Sequence, residues 1–167
     1  MQENLLYEFS IDQKKNIINV RREYEAPLKL LWEAWTSEDF LDRWWGPKPW
    51  NTETKSMDFR EGGQWLYAMV GPDGERHWAK AKFSHIEPQL SFSYRGYFCD
   101  DQGVTTPELP QNDWHISFHE NNTITTIKVT LLFSNTEALE QTMGMGFKEG
   151  FTAGLNQLES LLENLKK

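Results

Sequence analysis

Cysteine is almost missing from this chain. Cys99 is the only one among 167 residues, so no disulfide can form within it. A lone thiol fits a reducing compartment, and a cytoplasmic location is the expectation. Its expected role is structural rather than nucleophilic. Long hydrophobic runs are missing too. No apolar stretch reaches the roughly 20 residues that a helix needs to cross a bilayer. No basic segment followed by an apolar one opens the sequence, so no secretory leader is expected. Positive charge is scarce: 17 Lys and Arg face 25 Asp and Glu, a net charge of −8. That balance argues against nucleic acid and anionic membrane surfaces as partners.

The common signatures of catalysis and cofactor binding are also lacking. There is no glycine-rich phosphate loop, dinucleotide fingerprint or nucleophile elbow. The four histidines do not have ligand spacing. His115 and His119 are four apart, which suits a helix, but their surroundings alternate as a strand does. His77 and His85 lie eight apart on another strand pattern, too far to share an ion. Neither a metal nor another cofactor is expected. His77 is the one weak candidate for acid–base work, because its strand face also faces Trp65 and Tyr67. A plain core or rim histidine is the simpler reading. A binding protein is therefore favoured over an enzyme.

What the chain has is aromatic side chains: eight Trp, ten Phe and five Tyr. With an ordinary hydrophobic fraction of 38%, that excess implies a large core, a large cavity, or both. The length fits one domain, 1–167.

Alternation over Leu5–Ile11 predicts a strand, followed by a turn at 12–16 and a return strand carrying Ile18, Val20, Arg22 and Tyr24. Residues 1–16 are expected to add an edge to a core of 17–165. Arg22, on a partly apolar face, needs a carboxylate; Asp58 and Glu33 are the candidates. Pro27 opens a helix with a stripe of Leu28, Leu31, Trp32 and Trp35. Ser37 is the expected cap of a second short helix ending at Trp44-Trp45. Gly46 would take a left-handed conformation there, and Pro47 would stop the helix. Strands are predicted over 52–60, 63–70, 76–87, 90–98, 113–120 and 123–133, with 99–112 a loop. Gly71-Pro72-Asp73-Gly74 and Glu120-Asn121-Asn122 suit hairpin turns. Ser134 with Glu137 reads as a capping box for a long helix running to about Leu165. An antiparallel sheet wrapping that helix is the consistent packing.

Arg22-Glu23-Tyr24-Glu25-Ala26-Pro27, Leu31-Trp32-Glu33-Ala34-Trp35-Thr36 and Trp44-Trp45-Gly46-Pro47 form a recognisable series. Asp58-Phe59-Arg60-Glu61-Gly62-Gly63, Gly71-Pro72-Asp73-Gly74 and Met143–Phe151 continue it. In this order, over about residues 17–165, they resemble the START-like (SRPBCC) superfamily. Within it they are most similar to the family named after the activator of heat shock protein 90 ATPase, homologue-1-like. The resemblance implies an α+β helix-grip (START-like/Bet v-like) fold. A curved antiparallel sheet would wrap a long C-terminal helix, with two short helices after the first core strand. The family name also implies a chaperone partner, but in the named relatives that role belongs to a larger protein. Monomer and homodimer both stay open.

The inward faces are where a ligand would sit. Trp65, Tyr67 and Met69 share one face; His77, Ala79, Ala81, Phe83 and His85 share a second. Phe92, Tyr94, Gly96 and Phe98 form a third, and Trp114, Ile116 and Phe118 a fourth. A filled core would explain these faces. A cavity explains them as well and suits aromatic walls mixed with a few polar groups. Its expected lining is Trp44 and Trp45 from the end of the second short helix, with Trp65, Tyr67, Tyr94 and Trp114 from the sheet. Met143, Phe147 and Phe151 would come from the helix. Gly146, Gly150 and Gly154 recur every four residues on that helix, at a cost of roughly 1 kcal/mol each against alanine. Close packing is the favoured cause, with room for a ligand the other. Gly144 and Gly146 would make a hinge near Met145. The leading expectation is a small hydrophobic or aromatic molecule bound between sheet and helix. A cyclase- or hydrolase-type enzyme using the same pocket is the alternative.

Overall fold

The structure is a computed structural model that describes residues 5–166. Residues 1–4 and 167 of the expected domain lie outside the described residues. The chain runs β1 (Tyr7–Asp12), β2 (Ile17–Tyr24), α1 (Leu28–Thr36), α2 (Glu38–Trp44), β3 (Asn51–Met57) and β4 (Gln64–Val70). It continues through β5 (Arg76–Glu87), β6 (Ser91–Cys99), β7 (Asn112–Asn121), β8 (Ile124–Phe133), α3 (Thr136–Gly144) and α4 (Phe147–Leu165). The eight strands form one antiparallel sheet in the order β1-β2-β8-β7-β6-β5-β4-β3. β1 and β3 are its two edges. This is a helix-grip α+β fold.

The sheet closes its turns with residues that accept a positive φ. Asn16 (59°), Gly74 (83°) and Asn122 (60°) sit in three of them. The Asp12 carboxylate accepts from the Lys14 and Lys15 amides at 3.1 and 3.2 Å, which fixes the first turn. α4 buries Phe151, Gly154, Leu155, Leu158 and Leu162. The Tyr24 hydroxyl donates to the Leu155 carbonyl at 3.0 Å and pins that helix to β2.

Several local expectations are corrected. The long C-terminal helix is two helices. Gly146, at φ 86°, takes the left-handed conformation between α3 and α4, so the expected hinge is a full break. The N-cap of α3 is Asn135, whose side chain accepts from the Ala138 amide at 2.8 Å, and not Ser134. Ser37 precedes α2 without a side-chain cap bond. Gly46 has no positive φ; a Cβ there would lie 2.8 Å from the Asn51 carbonyl carbon and 2.9 Å from the Thr52 nitrogen. Its glycine serves a close backbone approach. Gly154 does likewise: a Cβ would stand 3.3 and 3.4 Å from the Trp44 and Trp45 carbonyl oxygens. Arg22 pairs with neither Asp58 nor Glu33. It reaches α4, where Nη1 donates to Asn156 Oδ1 at 2.8 Å and Nη2 lies 3.4 Å from Glu159. Its guanidinium also stacks over Tyr7 and Tyr24. Asp58 instead bonds Arg60 at 2.7 Å on the surface. A bulge between Phe83 and His85 turns His85 outward, between Glu61 and Glu87.

Candidate functional site

β4, β6 and β7 each turn a large ring toward the same space. They supply Tyr67, Tyr94 and Trp114 respectively. Antiparallel pairing puts Tyr94 directly opposite Trp114, and their rings stack at 5.3 Å. α4 closes the space from above with Phe147 and Phe151, stacked on each other at 5.2 Å and edge-on to Trp114 at 6.0 and 5.7 Å. Trp45, the residue after α2, enters from the side. It meets Trp65, Trp114 and Phe151 at 5.6, 5.8 and 6.1 Å. These rings do not fill the space between them. A cavity of about 300 Å³ remains, within the size range of small-ligand sites.

The polar groups in the wall are few. Trp45 Nε1 donates to the Tyr67 hydroxyl at 3.2 Å, and Trp114 Nε1 donates to Asn112 Oδ1 at 2.7 Å. Thr142, from α3, is buried with its hydroxyl unpartnered. No Asp or Glu lines the cavity among the described residues. Lys80 stands at the rim, its ammonium donating to the Gly103 carbonyl and lying 5.1 Å over the Tyr97 ring. Burial pushes the Tyr67 phenol up to about 12, against the hydrogen bond from Trp45. Burial raises Tyr94 and Tyr24 as well.

A direct expectation follows for alkaline titration. Unfolded phenols ionise near 10. These three hold their protons longer when folded, so folding loses stability as pH rises past about 10. Followed by phenolate absorbance, at least three of the five tyrosines should stay silent until well above that value or until the fold opens. Full ionisation with a native fold at pH 10.5 would contradict the burial described here.

Of the residues expected to line a cavity, the structure brings together Trp45, Tyr67, Tyr94, Trp114, Phe147 and Phe151. Trp44, Trp65 and Met143 are not in the wall. Trp44 is fully buried and points toward α1, where its Nε1 donates to the Ala34 carbonyl at 2.8 Å. Trp65 lies behind Tyr67, stacked at 3.9 Å, with its Nε1 bonded to Thr54 Oγ1 at 2.9 Å. Met143 is replaced by its neighbour Thr142, which lies one turn after buried Leu139 and so shares its face. His77 is exposed at the mouth, its ring edge-on to Trp50 at 5.3 Å. Sequence reasoning passed over Thr142, Met145, Asn112 and Pro110, which also border the space. Met69 and Gly96 were placed on inward faces and do border it. A Cβ on Gly96 would lie 2.8 Å from Asn112 Oδ1 and 3.3 Å from Trp114 Nε1, so glycine there lets the hydrogen-bonded Asn112–Trp114 pair pack against β6. Cys99 is buried, and burial pushes its thiol up, away from the reactive thiolate.

Comparison with known proteins places this arrangement. The profile of the family described as Activator of Hsp90 ATPase homolog 1-like protein matches residues 25–163. Protein Ms6760 from Mycobacterium smegmatis is similar in structure, with a TM-score of 0.87 and 26% identity, over 95% of this chain and 96% of that one. A protein from Arthrobacter aurescens gives 0.89 and 25%, over 94% and 91%. The AHSA1 protein from Silicibacter pomeroyi, at 19% identity and a TM-score of 0.72, shares the fold over 90% of this chain and 99% of its own. No curated protein matches the sequence. Among the described residues no helix is long and apolar enough to cross a membrane.

Proposed function

This chain belongs to the Activator of Hsp90 ATPase homolog 1-like family, and from that premise we propose that it binds a small hydrophobic or aromatic molecule between sheet and α4. The observation that carries the reading is the cavity of about 300 Å³ walled by Trp45, Tyr94, Trp114, Phe147 and Phe151. Its wall is predominantly apolar and aromatic with a few polar groups, the make-up of a small-molecule site. Trp45, Trp114 and Phe151 brace one another at contact distances and hold the wall in place, and Gly150 leaves room on the helix side, which supports a space meant for an occupant. We take residues 17–165 as one binding unit, with β1 as an added edge, and place it in the cytoplasm on the strength of its lone buried thiol. The enzyme reading gains no observation of its own, since His77 stands exposed at the mouth beside Trp50. Nor does the chaperone reading, beyond the family's name.

Intrinsic fluorescence tests the proposal. Trp45 and Trp114 border the cavity, so an occupant should quench or shift tryptophan emission. A panel of fatty acids, flavonoids and polycyclic aromatics is titrated. At least one class should bind saturably with low-micromolar or tighter affinity. Emission that stays flat across the panel would overturn the reading.

A further inference from the structure

The cavity wall offers hydrogen-bond donors with no acceptor among the described residues. The Tyr67 oxygen already accepts from Trp45 Nε1 at 3.2 Å, and no described residue accepts its proton. The Tyr94 hydroxyl, from the neighbouring face, bonds to no described residue. Thr142 Oγ1 is buried without a partner, in a residue 8% exposed. A buried polar group left unpaired carries a desolvation penalty, so the Thr142 hydroxyl is costly unless something fills the space, and the Tyr67 and Tyr94 hydroxyls beside it have protons still to donate. The acceptors balance poorly against these donors. Asn112 Oδ1 is occupied by Trp114 Nε1 at 2.7 Å. No carboxylate lines the cavity among the described residues, and the rim carries Lys80.

Resting on the binding role proposed above, we infer that the occupant is an apolar, ring-bearing molecule that presents an acceptor oxygen, a ketone-type carbonyl, to the hydroxyls of Tyr67, Tyr94 and Thr142. The aromatic walls hold the body of such a molecule, and the hydroxyls orient it. Both phenols keep their protons well past neutral pH because burial disfavours phenolate, so they remain donors under working conditions. A cation would find aromatic faces here but no countercharge.

A matched pair of probes isolates the oxygen: 9-fluorenone, and fluorene, which has the same ring system without the carbonyl. Both are titrated against the wild-type protein and against Tyr67→Phe, Tyr94→Phe and Thr142→Val, each first shown to be folded by circular dichroism. The ratio of fluorenone to fluorene affinity cancels the difference in their hydrophobicity. It should fall by about three- to tenfold in Tyr67→Phe or Tyr94→Phe, the worth of one neutral hydrogen bond. The infrared carbonyl stretch of bound fluorenone should lie at lower wavenumber in wild type and move back in the same variant. The three variants act independently, so loss of folding in one leaves the other two as tests. A ratio and a carbonyl stretch unmoved by every folded variant would overturn the inference while leaving the cavity reading intact. Equal binding of tetraethylammonium would overturn it as well. Failure of both fluorenone and fluorene to bind would overturn the cavity reading and this inference with it.

Discussion

Trp44→Ala is expected to cost about 3–5 kcal/mol of folding stability, the range for truncating a fully buried large aromatic. Its ring is wholly enclosed, edge-on to Trp35 at 4.9 Å, and its indole nitrogen satisfies the Ala34 carbonyl. Removing it leaves a void between α1 and α2 and an orphaned carbonyl. Trp45→Ala is expected to behave differently, although the residue is adjacent and touches more rings. Part of its surface faces the cavity, which already lacks atoms on one side, so truncation removes fewer contacts. Its expected signature is a smaller stability loss with weakened ligand binding. Chemical denaturation of the two variants, alongside titration of one bound probe, measures both effects. Equal destabilisation by the two substitutions would contradict the division between core and cavity wall.

The second large effect is on binding without loss of stability. Gly150 lies in α4 and borders the cavity, and a Cβ placed on it would meet only Pro47 Cγ, at 3.7 Å. That is ordinary contact, so the position has room for a side chain. Gly150→Leu removes a helix-interior glycine, which favours the helix by up to about 1 kcal/mol, and directs an isobutyl group toward the cavity. We expect melting temperature to hold or rise while affinity for an apolar probe falls at least about tenfold, roughly 1.4 kcal/mol. Thermal melting and fluorescence titration on the same sample separate the two. Retained affinity in a folded Gly150→Leu would place the ligand elsewhere.

The strands were legible because alternation is a local signal. Predicted 76–87 is β5 to the residue, and β6, β7 and β8 differ by a residue or so at their ends. What alternation cannot carry is a bulge. The irregularity between Phe83 and His85 flips the face of everything beyond it, which is why His85 reads as inward and stands outside. Helix phase accounts for another part of the shortfall. Trp44 and Trp45 are neighbours on a helical turn, about 100° apart, and Trp44 is turned to the Ala34 carbonyl of α1 while Trp45 faces the cavity. The sequence already contained that offset. It also contained Thr142, in phase with Leu139, but Met143, Phe147 and Phe151 read as one stripe of a continuous helix, and the break at Gly146 resets that phase. Arg22 lies at the other extreme. Its partners Asn156 and Glu159 come from α4, more than 130 residues away, and no local pattern points to them. The Gly146 break was half visible: the glycines marked a hinge, but a left-handed residue that ends one helix and starts the next depends on how α4 docks.

The most direct measurement is an ¹H–¹⁵N NMR titration of the indole N–H signals with 9-fluorenone. There are eight such signals, one for each tryptophan. The account predicts that those of Trp45 and Trp114, whose rings border the cavity, move most and saturate together. Trp44, hydrogen-bonded to Ala34 on the far side of α2, should move far less. Shifts led instead by Trp32 or Trp78, away from the cavity wall, or no saturable shift at all, would contradict it.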